Sequence, residues 1–418
     1  MSTESLASNS DSPPSRVLII GAGHAGAATA ASLRQYGHTG TITIVGDEDE
    51  HPYHRPPISK AYLHGDAEAD LLRDPSYYID QNIELKLGRR VESLDLTNRT
   101  ATLDDSSEHG FDELVLATGA RARTLTHQLP ERGCWSLRTF RDAIGFRSVL
   151  ESRSRIVIIG GGFVGLEVAA AARSRGCEVT VIEREQRLLQ RVASPHLSEA
   201  LTALHRDKGV DVLVNAALHE IVASRDGGVE AVILEDGRRL PCGAVVIGVG
   251  AEPRDELLRQ VGAECDGGVI VDSSARSSLP GVYAVGDVTR REVPGYPGRI
   301  RLESIPNATE QAKQAAAAIT GRTVPRSEVP WFWSDQYDAN LKIAGLLAGS
   351  SRTIVRGNPS SGSFAIYHLD DADRLLAVEA VNAPRDFMAG KKWITSGASP
   401  SIDLLPDLSV PLRDLVPA

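Results

Sequence analysis

One local pattern occurs twice in this chain and dictates most of its fold. Residues 16–47 read RVLIIGAGHAGAATAASLRQYGHTGTITIVGD, and residues 155–183 read RIVIIGGGFVGLEVAAAARSRGCEVTVIE. Each begins with an apolar run too short for a helix, which reads as a buried parallel strand. A glycine turn, an alanine-rich helix and a second β-branched strand follow. Gly21, Gly23 and Gly26 hold the same spacing as Gly160, Gly162 and Gly165. At such a turn the first glycine permits the tight bend, the second lets phosphate approach the backbone, and the third lets helix and strand pack closely. The free N–H groups at the helix start attract a pyrophosphate. Each second strand ends in an acid, Asp47 or Glu183, placed to accept ribose hydroxyls. Two such units predict two dinucleotides.

The units differ in their surroundings. Three distant segments can converge on the first: Pro56-Pro57, Thr118-Gly119 and Gly286-Asp287. That many contacts suit a long, permanently held cofactor such as FAD. The second unit has fewer, which suits a nucleotide that enters and leaves. Glu183 would repel a 2′-phosphate, so NADH is favoured over NADPH, and Arg184 beside it moderates the preference.

A net charge of −10 argues against general affinity for nucleic acid or anionic membrane, and no apolar run approaches membrane-span length. Residues 1–14, rich in Ser, Asp and Pro, read as a disordered tail and not a signal peptide. The four cysteines (Cys134, Cys177, Cys242, Cys265) lie far apart with no metal spacing, so reduced core residues in a cytoplasmic protein are expected and no metal site is. Beyond about residue 330 the strand–helix alternation stops. Strands at 341–345, 353–356, 363–369 and 375–381 and a helix near 384–396 form a separate α+β domain with an antiparallel sheet. The expected division is 15–121 with 251–328 for the first dinucleotide, 122–250 for the second, and 329–418 for the last domain.

The segments GAGHAG, RPPISKAY, LATGARAR, GGGFVGLE, VYAVGD, ESIPNATEQA and PWFWSDQYD together resemble the ferredoxin reductases of bacterial oxygenase systems. The resemblance covers nearly the whole chain after the tail. It implies a glutathione-reductase-like fold of two Rossmann-type domains plus the C-terminal domain, with tightly bound FAD, NADH as donor and a small iron–sulfur ferredoxin as acceptor. That acceptor would feed a cytochrome P450 or another oxygenase. It also implies that Ala25 and Asp47 contact the adenine-side phosphates and ribose of FAD, and that Val91 lines the adenine pocket. Lys60 would approach the isoalloxazine edge, Arg138 would reach the FAD, Asp287 would accept a ribitol hydroxyl, and Ile305 would offer its backbone N–H to the flavin pyrimidine. Val91 and Ile305 also read as plain core, and their roles rest on the resemblance alone.

An acid such as Glu167 is favoured near a helix N-terminus in any case; the resemblance implies an ion pair with Lys60 beside flavin N5. Phe163 flanks the nicotinamide slot or simply packs. A helix from about Asn307 would aim its positive end at the flavin. Disulfide reductases of this fold carry a redox dithiol within the segment that is residues 54–61 here, and the related oxidases and peroxidases a single cysteine. This chain has neither. Electrons would therefore leave the flavin singly, and the resemblance sets Trp333 at the exit, although a tryptophan there also reads as interdomain packing. Arg290, Arg291, Arg299, Arg301, Lys391 and Lys392 are the candidate cations for docking an acidic ferredoxin. The protein is expected to be a monomer or weak dimer. The rival readings are an NADH oxidase or peroxidase without a protein acceptor, and a signalling flavoprotein resembling apoptosis-inducing factor.

Overall fold

The computed structural model describes residues 15–64 and 68–416, so the tail reading lies outside the described residues. Strand β1 (Val17–Ile20) is buried along its whole length and pairs in parallel with β2 (Ile42–Val45), Val17 opposite Ile42. Parallel neighbours need a crossover, and α1 (His24–Gln35) supplies it. The sheet runs in the order 282–284, 113–116, β1, β2, 83–86. Both of its faces are covered, which is why β1 is apolar without alternation. Val17 and Ile19 pack with Ala30 and Leu33 of α1, whereas Leu18 and Ile20 pack with Leu103 and Phe111 on the other side.

The second unit repeats the construction. Strand β3 (Arg155–Ile159) pairs in parallel with β4 (Glu178–Ile182) through α2 (Phe163–Ser174), in a sheet ordered 211–213, β4, β3, 244–247, 134–135. The next helix, α3 (Pro195–Asp207), has Ser194 as its cap, with the hydroxyl accepting from the N–H of Leu197.

Helix α4 (Ile305–Ile319) starts two residues before the expected Asn307. Pro306 in the first turn needs no donor partner, and the Ser304 hydroxyl accepts from the N–H of Asn307, so a segment that reads as a breaker is a start.

The C-terminal sheet is antiparallel, in the order β5 (Trp331–Gln336), 339–345, 375–381, 363–369, 352–358, with α5 (Pro384–Ser396) packed on it. Strand β5 is absent from the sequence reading. It turns into its neighbour through Tyr337, which adopts φ 54°, and Asp338, a pair without the glycine that normally marks such a hairpin. Among the described residues no helix is long and apolar enough to cross a membrane.

Candidate active site

The two glycine turns have matching geometry. A Cβ on Gly26 would lie 1.9 Å from the carbonyl oxygen of Gly21, and one on Gly165 would lie 2.3 Å from that of Gly160. These glycines let helix and strand touch. A Cβ on Gly23, by contrast, would meet only the Arg55 side chain, at 3.8 Å. Its open side faces a cleft of about 1190 Å³, larger than the ~300–1,000 Å³ of ordinary small-molecule pockets. A backbone cradle opening on a long cleft fits a dinucleotide such as FAD.

The cleft gathers residues that are far apart in the chain. Gly21, Gly23, Ala25, Asp47, Lys60, Val91, Thr118, Gly119, Arg138, Gly286, Asp287 and Ile305 all line it. From the second unit Phe163 and Glu167 reach it, and from the C-terminal domain Trp333 does. Gly26 lies behind the turn, and Gly160, Gly162, Gly165 and Glu183 belong to the second turn, outside this cleft.

Asp47 is met by Arg254 at 2.8 Å and Arg90 at 4.0 Å. Burial opposes its charge, but the two arginines hold its carboxyl below the usual range. Arg138 reaches Asp287 at 3.3 Å, and the Thr118 hydroxyl donates to the carbonyl of Arg254 at 2.7 Å. Glu183 stays within its own unit: it accepts from the N–H of Gly161 at 2.8 Å and from that of Glu185 at 2.9 Å. Arg184 is exposed and paired with Glu185 at 3.1 Å.

Glu167 is buried, 6% exposed, and carries an ion pair from Lys60 at 2.8 Å. The hydroxyls of Ser59 and Ser334 also donate to it, the latter at 2.6 Å. Phe163 packs edge-on against Phe332, with ring centroids 4.8 Å apart. Trp333 lies 5.7 Å from Trp331, over which Lys391 sits at 5.2 Å.

Sequence reasoning missed Arg55, whose guanidinium bonds Glu48 and the carbonyl of Arg138 beside the first glycine turn. The signal was its place before Pro56-Pro57, which fixes its direction. It also missed Ser59 and Ser334, neighbours of Lys60 and Trp333. Among the docking cations one correction is needed. Arg291 is 4% exposed and tied to Glu310, Asn307 and Gln314, so it cannot meet a partner. Arg290, Arg299, Arg301 and Lys391 pair with Asp266, Glu264, Glu303 and Glu328 of the same chain, and Lys392 is exposed on α5.

Among the described residues that line the cleft there is no cysteine, and burial pushes the thiols of Cys134, Cys177 and Cys265 up and that of Cys242 up to about 12. None is a ready thiolate.

Residues 15–312 match the family model described as pyridine nucleotide-disulphide oxidoreductase, and residues 331–416 match the reductase C-terminal domain. The chain belongs to the pyridine nucleotide-disulphide oxidoreductase family. It is therefore an oxidoreductase whose cofactors are FAD and a pyridine nucleotide. It is 41% identical to the putidaredoxin reductase of Pseudomonas putida, over 96% of this chain and 97% of that protein. To the rhodocoxin reductase of Rhodococcus erythropolis it is 42% identical, over 91% of this chain and 89% of the other. Its fold superimposes on the covalent putidaredoxin reductase–putidaredoxin complex with a TM-score of 0.93 and 39% identity, covering 97% of this chain and 98% of that one.

Proposed function

We propose that this protein is an NADH-dependent ferredoxin reductase that passes electrons through FAD, one at a time, to a small iron–sulfur protein serving a cytochrome P450 or another oxygenase. The observation that carries the reading is the company kept in one cleft: the Lys60–Glu167 pair, Trp333, and no thiol. When bound, the flavin accepts hydride from the nicotinamide and releases single electrons.

The chain's own residues bind, orient and keep the site dry. Gly21 and Gly23 with the start of α1 receive the pyrophosphate, and Ala25 packs beside them. Asp47 takes the adenosine ribose, Val91 borders the adenine, and Arg138 with Asp287 holds the ribityl chain, near Thr118, Gly119 and Gly286. Lys60 offers its ammonium to the flavin edge, oriented by Glu167, while Ile305 presents its N–H from the start of α4, whose dipole favours negative charge there. Gly160, Gly162 and Gly165 seat the nicotinamide dinucleotide, Glu183 takes its ribose hydroxyls, and Phe163 walls the nicotinamide slot.

On this reading residues 15–121 and 251–328 form the FAD domain, 122–250 the NADH domain, and 329–418 the domain that meets the acceptor. Docking centres on Trp333 with Lys391 and Lys392 close by, aided by Arg290, Arg299 and Arg301, and the working form is a cytoplasmic monomer or weak dimer. NADH-driven reduction of cytochrome c through added ferredoxins tests the function. Turnover far above oxygen consumption is expected. Oxygen consumption equal to it, with every ferredoxin inert, would replace the reading with an oxidase.

A further inference from the structure

Behind the Lys60–Glu167 pair lies a buried polar chain that the proposed chemistry does not use. The Ser334 hydroxyl donates to Glu167 Oε1 at 2.6 Å and accepts from Gln336 Nε2 at 3.1 Å. The carbonyl end of the same amide faces His205 Nε2 at 2.9 Å. Ser334, Gln336 and His205 are each at most 1% exposed. Amide nitrogen on serine and amide oxygen on histidine require the imidazole proton on Nε2. Every donor in the chain then points toward Glu167.

We propose that Ser334, backed by Gln336 and His205, is a positioning residue that holds Glu167 as an oriented anion and so fixes Lys60 over the flavin edge. The inference rests on the role proposed above for that pair. Donation to a carboxylate favours its charged form, and a polarised row of hydrogen bonds strengthens the last one. Conduction of a proton is the poorer use of this chain, because an amide at its centre cannot pass one on without exchanging its own bonds. Burial pulls His205 below its ordinary value, which keeps the ring neutral and the row's direction fixed. Its Nδ1 is buried without a partner among the described residues.

Among the described residues the charged group paired with Glu167 is Lys60, which comes from the turn after 56–59 together with the neutral hydroxyl of Ser59; from β5 comes the neutral Ser334, backed by Gln336 and, from α3, by His205. Ser334 follows Trp333, so one peptide bond joins the acceptor-side aromatic to the residue that sets the nicotinamide-side pair.

The test is the rate of flavin reduction by NADH on rapid mixing with the oxidised holoprotein, with Glu167→Gln as the reference for loss of the pair. Ser334→Ala should slow reduction about tenfold and leave the NADH concentration for half-maximal rate unchanged. Ser334→Thr should restore the rate, and Gln336→Met should slow it by less. Rates unchanged in both Ser334→Ala and Gln336→Met, with FAD content and thermal midpoint as in the wild type, would make the chain mere packing. A Glu167→Gln rate equal to that of the wild type would overturn the placement of Glu167 at the flavin, and this inference with it. If Ser334→Ala fails to fold, Gln336→Met alone decides.

Discussion

The two glycine-turn units are near copies in sequence and in backbone, yet their terminal acids live differently. Asp47 is clamped by Arg254 and Arg90, which come from remote parts of the chain, while Glu183 is held by N–H groups of its own unit, Gly161 and Glu185. The first unit is roofed by segments far apart in the chain: Arg55, Arg138, Asp287 and Trp333 border the same cleft. The second contributes Phe163 and Glu167 to that cleft and keeps its own turn apart. On the function proposed above, one motif serves two residence times. Local geometry makes a phosphate cradle, and distant segments decide whether the ligand stays.

Substitution of the packing glycines should separate the units most sharply. Gly26→Val drives a side chain into the Gly21 carbonyl and should yield protein with less than about a tenth of the normal flavin, since overpacking costs about 1–3 kcal/mol. Gly165→Val should keep its yellow colour and weaken NADH binding about tenfold by the same cost. Absorbance of the purified proteins and NADH titration read the two effects, and equal flavin loss in both would erase the distinction. Glu183→Arg removes the acceptor from Gly161 and installs a cation for a 2′-phosphate. The ratio of kcat/KM for NADH over NADPH should fall about tenfold, the effect of roughly 1.4 kcal/mol, with flavin content intact.

At the outer face, Lys391→Glu with Lys392→Glu should slow ferredoxin reduction several-fold at low salt and leave ferricyanide reduction unchanged, because charge there steers encounter. A smaller effect concerns His24, in the first turn, where burial, with His54 at 3.3 Å, pulls the ring down to about 4. The unfolded chain, titrating near the ordinary 6.5, then binds more protons than the folded one between those values. Stability of the apoprotein should therefore fall as pH drops from about 6.5 toward 4, and His24→Asn should flatten that slope in urea melts.

Much of this was legible because glycine spacing, apolar runs and terminal acids are local signals. What the sequence hides is non-local. Arg290 and Arg291 look alike in the chain, but the alternation of their strand turns Arg291 inward onto Glu310. Strand β5 was missed because its hairpin uses Tyr337-Asp338 without glycine. Helix α3, announced only by Ser194-Pro195, was passed over, and His205 went unnoticed with it. Ser334 gains its meaning from Glu167, a partner 167 residues away.

On the proposed function the flavin alone stores the electrons, with no thiol pair behind it. Anaerobic titration of the holoprotein with dithionite tests this most directly. Complete reduction at two electrons per bound flavin, the capacity of the flavin itself, is predicted. Uptake of four would reveal a second redox centre and rule out an exit through the flavin alone.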